Sequence, residues 1–353
     1  MNRTVIIHLA MMTAWNTDSG VAVHAEPLGK AWKEMGHDVT IFTHIKEDFH
    51  GAGFTKEDDE DYVIRCFGTQ KTNFLDPRPI LTTDFDVLVV QDLRMLPVES
   101  LSKIFPLIKH RARTVHVVHE NRLPKEPWFY QFDWDGVVYF DQRQEFLNEV
   151  YPHAKLIPFP CFPARSGDKA EARKKLKLPP DKHIAYSFCH RGYEPFLRDL
   201  TEKLKKETTL LYVVPPGYQM VEKDDPPPWM IIREEKVLSE ERFDDYLFAS
   251  DCVILHKFQS LYLGVVSSTA FQAIGAGCPI LVPEGSDYFR PLQNELLHYG
   301  DVSELLKMLN ELFRNEKMQK DLLDAANGFA TMNAPETIAK LFIDFFVELG
   351  RPS

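Results

Sequence analysis

Short apolar runs alternate along the chain with longer stretches whose apolar residues recur every three or four positions. In the first half "TVIIHLA", "DVTIFTH", "YVIRCF", "DVLVVQD", "TVHVVH" and "GVVYF" have the near-continuous apolar character of buried strands. Val21–Met35, Ser100–His110 and Asp141–Tyr151 carry helical spacing between them. The second half repeats the grammar. Its strands are "HIAYSFC", "TLLYVVP", "PWMIIRE", "DCVILHK" and "CPILVPE", its helices Glu194–Lys206, Ser239–Ala249, Thr269–Ala276 and further ones from Val302 onward. Strands alternating with helices predict mostly parallel sheets covered on both faces. Between the halves, "KLIPFPCFPARSGDK" holds three prolines and reads as an extended connection. The expected organisation is a first domain over 1–158, a second over 159–333, and a last helix, Ala334–Leu349. The apolar stripe of that helix (Ile338, Leu341, Phe342, Phe345, Phe346) is expected to pack back on the first domain. The predicted fold class is α/β: two Rossmann-like, doubly wound parallel-sheet lobes facing a cleft.

Length and composition agree with two real cores. The chain has 353 residues, 44% of them hydrophobic, with 25 Phe, against roughly 100–200 residues per domain. A formal net charge of −11 argues against a nucleic-acid polymer as partner, which needs a basic surface. It leaves room for a phosphorylated small molecule held by a few local donors. Cys66, Cys161, Cys189, Cys252 and Cys278 are odd in number, widely spaced and never in C-x-x-C. They read as free thiols of a reducing cytosol rather than as a disulfide framework or a zinc site. The opening "MNRTVIIHLAMMTAW" reads as a buried strand, because His8 and the polar "NTDSG" interrupt any signal-peptide pattern. No run approaches the ~20 apolar residues of a spanning helix. A cytoplasmic protein is expected, with peripheral attachment to a membrane left open.

One stretch carries candidate chemistry. "VSSTAFQAIGAGCPILVP", Val266–Pro283, lies in a region with no Asp or Glu between Asp251 and Glu284, although the chain is acidic. Ser267, Ser268 and Thr269 precede a predicted helix, where unpaired N–H groups and the dipole favour an anion. The expected occupant is a diphosphate. Ordinary N-capping explains the same hydroxyls without a ligand.

The same stretch resembles the nucleotide-binding element of two-lobed GT-B glycosyltransferases of family 4 (group 1). Those carry a Ser/Thr-rich turn, an acidic residue, then Gly-x-Pro and an apolar strand; here Gly277-Cys278-Pro279 fits without a gap. "DSGVAVHAEPLGKAWKEMGHDVTIFTH", "TVHVVHENR", "KLIPFPCFP", "SFCHRGYEP" and "FDDYLFASDCVILHK" resemble further family segments in the same order. The resemblance implies a nucleotide-diphosphate sugar bound mainly by the second lobe and an acceptor (glycan, small molecule, lipid-linked group or protein) bound by the first. It implies no metal and no cofactor beyond the donor substrate. On the donor side it points to Gly20, Arg191, Lys257, Ser267, Ser268, Thr269 and Gln272, and for catalysis to His119, Glu120 and His24. His119 closes "TVHVVH", the productive end of a strand, and His24 begins the helix after the first strand; packing or surface roles remain open for both.

The departures matter equally. Many retaining members have two glutamates with seven residues between them; here the second position holds Gln272 and the first, by spacing, Gly264. Gln272 can still bond ribose hydroxyls but lacks the charge. Arg191 matches the family arginine, whereas the lysine five residues on is Phe196, with Lys257 as a substitute cation. Retention or inversion stays open. Asp287 and Tyr288 follow the next strand and are weaker candidates, and the aromatics of Glu126–Gly136 read either as packing under a loop or as an acceptor wall. The expected function is metal-independent glycosyl transfer. The alternatives are a lobe pair that binds a nucleotide sugar or a partner without transfer, and a sugar-nucleotide epimerase.

Overall fold

A computed structural model of the chain describes residues 6–49, 51, 53–119, 130–188, 202–217 and 225–350. The chain divides into two compact units: Met1–Pro160 with Ser260–Ser268 and Asn333–Ser353, and Cys161–Gln259 with Thr269–Met332. The expected boundary at 158/159 placed residues 260–268 in the second domain, whereas the structure groups them with the first unit.

The first unit holds β1 (His8–Met12), α1 (Gly20–Glu34), β2 (Asp38–His44), β3 (Val63–Gly68), β4 (Phe74–Leu75), α2 (Pro77–Thr82), β5 (Val87–Gln91), α3 (Val98–Lys109), β6 (Arg113–Val118), β7 (Gly136–Tyr139), α4 (Leu147–Val150) and β8 (Ala154–Leu156). Its eight strands run β4-β3-β2-β1-β5-β6-β7-β8, parallel throughout except for β4 at the edge. β1 is central, with Leu9 opposite both Val39 of β2 and Val87 of β5. Strand order therefore reverses between β1 and β5, where an open α/β sheet receives ligands at its carboxyl end.

The second unit holds α5 (Lys169–Leu176), β9 (His183–Phe188), α6 (Glu202–Glu207), β10 (Thr208–Val214), β11 (Met230–Glu234), α7 (Glu240–Ala249), β12 (Cys252–Ile254), α8 (Ser268–Ala273, opening on the last residue grouped with the first unit), β13 (Ile280–Pro283), β14 (Leu297–Tyr299), α9 (Val302–Leu312) and α10 (Glu316–Met332). Its parallel sheet runs β11-β10-β9-β12-β13-β14, with the reversal between β9 and β12. The final helix, α11 (Pro335–Glu348), returns to the first unit. There Trp32 of α1 donates its indole N–H to Ala339 O at 3.2 Å, and its ring lies 5.9 Å from Phe342 and 5.8 Å from Phe346.

Several elements differ from expectation for local reasons. Asp141–Tyr151 is not one helix but a 3-10 turn, Gln142–Gln144, followed by the single turn of α4. The Asp141 carboxylate takes the Arg143 N–H (2.8 Å) and Arg143 Nε (2.7 Å), and such a local bond competes with the helical ladder. α8 stops at Ala273 instead of Ala276. At Gly275 a Cβ would meet the carbonyl oxygens of Phe162 and Pro163 at 2.8 Å, so only glycine lets the chain pass there. β12 ends at Ile254 rather than at Lys257, although Leu255 N–H still reaches Leu281 O at 3.0 Å. α5 was not foreseen: Asp168 caps it through the Glu171 N–H (2.8 Å), and only Ala172, Arg173 and Leu176 are buried. Of the predicted helix Glu194–Lys206, only the part within α6 falls among the described residues. Cys66, Cys161, Cys252 and Cys278 are free and buried. Among the described residues no helix is long and apolar enough to cross a membrane.

Candidate functional site

In the first unit, polar residues gather on the loops that follow β1, β5, β6 and β7. The loop after β1 is firmly held. Asn16 adopts a left-handed backbone (φ 53°) that asparagine tolerates better than most residues. Its N–H bonds Glu26 Oε1 (2.8 Å), and its carboxamide bonds Asp59 Oδ1 (3.1 Å) and Glu60 Oε2 (3.0 Å). Burial pushes the Glu26 carboxyl up to about 7, against the opposing pull of Lys30 and the Asn16 N–H. Ser19 then caps α1 by accepting from Ala22 N–H at 3.1 Å. Gly20 follows, exposed, and a Cβ there would stand 3.1 Å from Ser268 Oγ. Two sequence candidates, Gly20 and Ser268, are thus neighbours within this unit.

His119 directly follows β6 and is 8% exposed. Its Nε2 lies 2.8 Å from Gln91 Oε1, while Gln91 Nε2 reaches Met11 Sδ at 3.6 Å. The carbonyl of Gln91 is thereby the acceptor, His119 carries its proton on Nε2, and Nδ1 keeps a lone pair. Burial brings His119 down to about 4, with Asp92 raising it and Arg94 lowering it. His24 was expected to border the cleft, but the structure encloses it completely. Its ring lies 5.0 Å from His119, 4.8 Å from Phe140 and 5.1 Å from Phe159. Neither nitrogen has a hydrogen-bond partner. Burial, then the His119 ring, holds His24 well below the ordinary imidazole range. Both rings are neutral at physiological pH. Glu120, Arg122 and Arg191 lie outside the described residues.

The position where spacing places the first family glutamate is built for glycine. Gly264 has φ 77°, and an added Cβ would fall inside the Gln144 side chain. Gln144 is fully buried, and neither amide atom has a partner. Ser267 is also buried, with its hydroxyl unpartnered, and Thr269 is 8% exposed. Of the three hydroxyl residues expected to face a diphosphate, only Ser268 is half-exposed.

In the second unit, Lys257 stands just past β12, beside the strand-order reversal. The loop after β13 meets it: Ser286 Oγ donates to Lys257 O at 2.5 Å, Asp287 N–H to Phe258 O at 2.8 Å, and Lys257 Nζ lies 5.6 Å from the Tyr288 ring centroid. His256 Nδ1 shares a 2.5 Å hydrogen bond with the Tyr299 hydroxyl, and burial lowers this histidine to about 4. Gln272 is half-buried; its backbone carbonyl accepts from Arg165 Nη2 at 3.0 Å, an arginine itself paired with Asp244 at 2.5 Å. Thr269, Gln272 and Lys257 therefore share a unit, and Gly20, His24, His119, Ser267 and Ser268 share the other. Among the described residues no group of three or more His, Cys, Asp or Glu is arranged to hold a metal ion.

Sequence reasoning missed Asp92, Arg94, Arg143 and Gln144, which follow β5 and β7. The available signal was an Asp-x-Arg tripeptide straight after a strand, in "QDLRM" and again in "FDQRQ".

No family model matches the chain. Solved structures do resemble it along nearly its whole length. The sucrose-phosphate synthase of Thermosynechococcus elongatus superposes with a TM-score of 0.70 at 14% identity, over 97% of this chain and 99% of that one. A glycosyltransferase from Rickettsia africae gives 0.70 at 14%, over 98% and 100%. The pneumococcal O-GlcNAc transferase GtfA, in complex with UDP and GlcNAc, gives 0.64 at 10%, over 98% and 99%. The fold is that of the GT-B glycosyltransferases, two Rossmann-like α/β lobes.

Proposed function

We propose that the protein transfers a sugar from a nucleotide-diphosphate sugar to an acceptor, without a bound metal. The observation that carries this reading is the placement of Lys257, with Ser286 and Tyr288 around it, at the carboxyl end of the second sheet beside its reversal point. A diphosphate there gains a cation, and the sequence between Asp251 and Glu284 holds no Asp or Glu. Arg191, which comes after β9 in the sequence, is the second candidate cation. Transfer asks little covalent chemistry of the protein; charge growing on the leaving diphosphate is offset by preorganised cations and donors.

In the first unit, Gly20 opens α1 with Ser268 close beside it, where a Cβ would stand 3.1 Å from Ser268 Oγ, and His119 presents a neutral ring. With Nε2–H engaged by Gln91, His119 Nδ1 accepts from a sugar hydroxyl. Its value of about 4 suits a neutral hydrogen-bonding group, not an acid–base group matched to neutral pH. His24 supports that ring by packing and is withdrawn from the reacting groups. Gln272 takes the ribose-binding place that a carboxylate fills in family members.

A second reading, a protein that binds a nucleotide sugar without transferring it, is favoured by one observation: the backbone at Gly264 admits no glutamate. The test is incubation with a panel of nucleotide sugars and acceptors, measuring binding and released nucleoside diphosphate together. Binding with release supports transfer. Binding without release for every donor and acceptor supports the second reading, and no binding at all rejects both.

A further inference from the structure

The first unit contains three Asp-x-Arg tripeptides with one local geometry. In each, the aspartate accepts the arginine's own N–H and pairs with its guanidinium: Asp76 with Arg78, Asp92 with Arg94 and Asp141 with Arg143. Arg78 is exposed, its side chain 84% accessible. The other two are mostly enclosed, at 18% and 16%, and stand at the carboxyl ends of β5 and β7. Both reach the segment 260–268. The Arg94 guanidinium lies 4.3 Å from the Tyr262 ring centroid, and Arg143 Nη2 donates to Val265 O at 3.0 Å. Between these attachments Gly264 sits on the Gln144 side chain.

We infer that Arg94 and Arg143 are paired hooks that hold residues 260–268 in register at the carboxyl end of the first unit's sheet, and so position Ser267 and Ser268. They are positioning residues, acting through the segment they hold. Each aspartate fixes its arginine before the segment arrives, so little side-chain freedom is lost when the segment docks. The exposed Asp76–Arg78 pair shows that the tripeptide alone makes only the local carboxylate bond. The enclosed pairs differ by what their outer faces take: an aromatic ring for Arg94, a backbone carbonyl for Arg143. Arginine serves both, since its planar group stacks through its face and donates from its edge. Gly264 lets the segment lie flat on Gln144, where any side chain would lift it away. The seat is also imperfect, with the Gln144 amide and the segment's own Ser267 hydroxyl buried and unpaired. Unpaired buried polar groups disfavour the docked arrangement, so the hooks are what keep the segment down. The consequence for catalysis rests on the glycosyltransferase reading: the hooks would hold Ser268 beside Gly20, and their loss would raise KM for the substrate that the first unit binds more than it lowers kcat.

The hooks themselves are tested without any substrate, by hydrogen exchange read by mass spectrometry on the full chain. Tyr262→Ala and Arg94→Ala should each quicken amide exchange within 260–268 by about tenfold, the change expected for losing one enclosed cation–π contact. Tyr262→Phe, which keeps the ring, should exchange like wild type, and Arg143→Lys should open the Val265 side of the segment. Peptides from β1 and β2 should be unaffected in every variant. Wild-type exchange in 260–268 for Tyr262→Ala and Arg94→Ala overturns the inference. So does quickening spread across the whole first unit, which would mark these residues as general contributors to folding. A result on either side leaves the nucleotide-sugar reading to be judged by its own turnover assay.

Discussion

Gly264→Ala puts the geometry at the displaced glutamate position to a quantitative test. The backbone there has φ 77°, and an L residue held in that left-handed region costs about 1–2 kcal/mol. The new methyl would also fall inside Gln144, which is fully buried, and forced overpacking of this kind costs about 1–3 kcal/mol. The substitution should therefore destabilise the first unit by about 2–5 kcal/mol. Gln144→Ala alone should be mild. It loses packing, but it also removes a buried carboxamide with neither atom paired, an arrangement that itself costs about 1–3 kcal/mol. In the double variant the steric overlap is gone and only the backbone cost remains, so the cycle should show a coupling of about 1–3 kcal/mol. Denaturant unfolding followed by tryptophan fluorescence suits the measurement. Among the described residues, Trp15, Trp32 and Trp134 fall in the first unit and Trp229 in the second. A cost below about 1 kcal/mol for Gly264→Ala, or no coupling with Gln144, would refute the packing argument. A corollary concerns activity: Gly264→Glu should not create or improve transfer, because the carboxylate cannot be seated.

Three further expectations follow from particular contacts. His24, His116 and His119 are buried and held below the ordinary imidazole value, His116 to about 3 and His119 to about 4. The stability of the first unit is thus full above the unfolded value near 6.5 and falls as pH drops from there toward 4. His24→Phe, placed among Phe140, Phe159 and Phe342, should keep the wild-type melting temperature at pH 7.5 and soften the decline at pH 5; a large loss at pH 7.5 would reveal a polar role for the ring. Asp48 is pushed up by burial, but the hydroxyl of Thr72 and the N–H groups of Lys71, Thr72 and Gln70 outweigh this and bring it to about 2. Its stabilisation is complete above the unfolded carboxyl value and disappears as pH falls through 2, and Asp48→Asn should cost about 1.5–3 kcal/mol at neutral pH, read as a lower unfolding midpoint; an unchanged midpoint contradicts it. Lys257→Ala and Arg191→Ala should each weaken nucleoside-diphosphate binding at least about tenfold by calorimetry, and wild-type affinity in both would displace the donor site.

Much of the fold was legible because burial on both faces of a parallel strand leaves an unmistakable apolar run, as in "DVLVVQD" and "TLLYVVP". What failed had competing local chemistry or too little apolar signal. Asp141 turned a predicted helix into a 3-10 turn by bonding Arg143, and α5 has so few apolar residues that its stripe reduces to Ala172 and Leu176. The candidate site was legible in part. Strand ends pointed to His119 and Lys257, since the carboxyl end of a parallel strand can be read from chain direction alone. His24 could not be placed from its helix, because the rings that enclose it, Phe140, Phe159 and Phe342, come from distant parts of the chain. The meaning of Gly264 was equally hidden: a glycine where a glutamate was expected reads as a lost group, and only the backbone angle and Gln144 show a site built to exclude a side chain.

The central claim is that the carboxyl end of the second unit's sheet, at the reversal between β9 and β12, receives the diphosphate of a sugar nucleotide. A crystal structure of the full chain with a nucleoside diphosphate tests it most directly. The account predicts phosphate oxygens within hydrogen-bonding distance of Lys257 Nζ, close to Ser286 and Tyr288, with the ribose toward Gln272. A nucleotide bound away from Lys257 and Gln272, or none bound at saturating concentration, would contradict it.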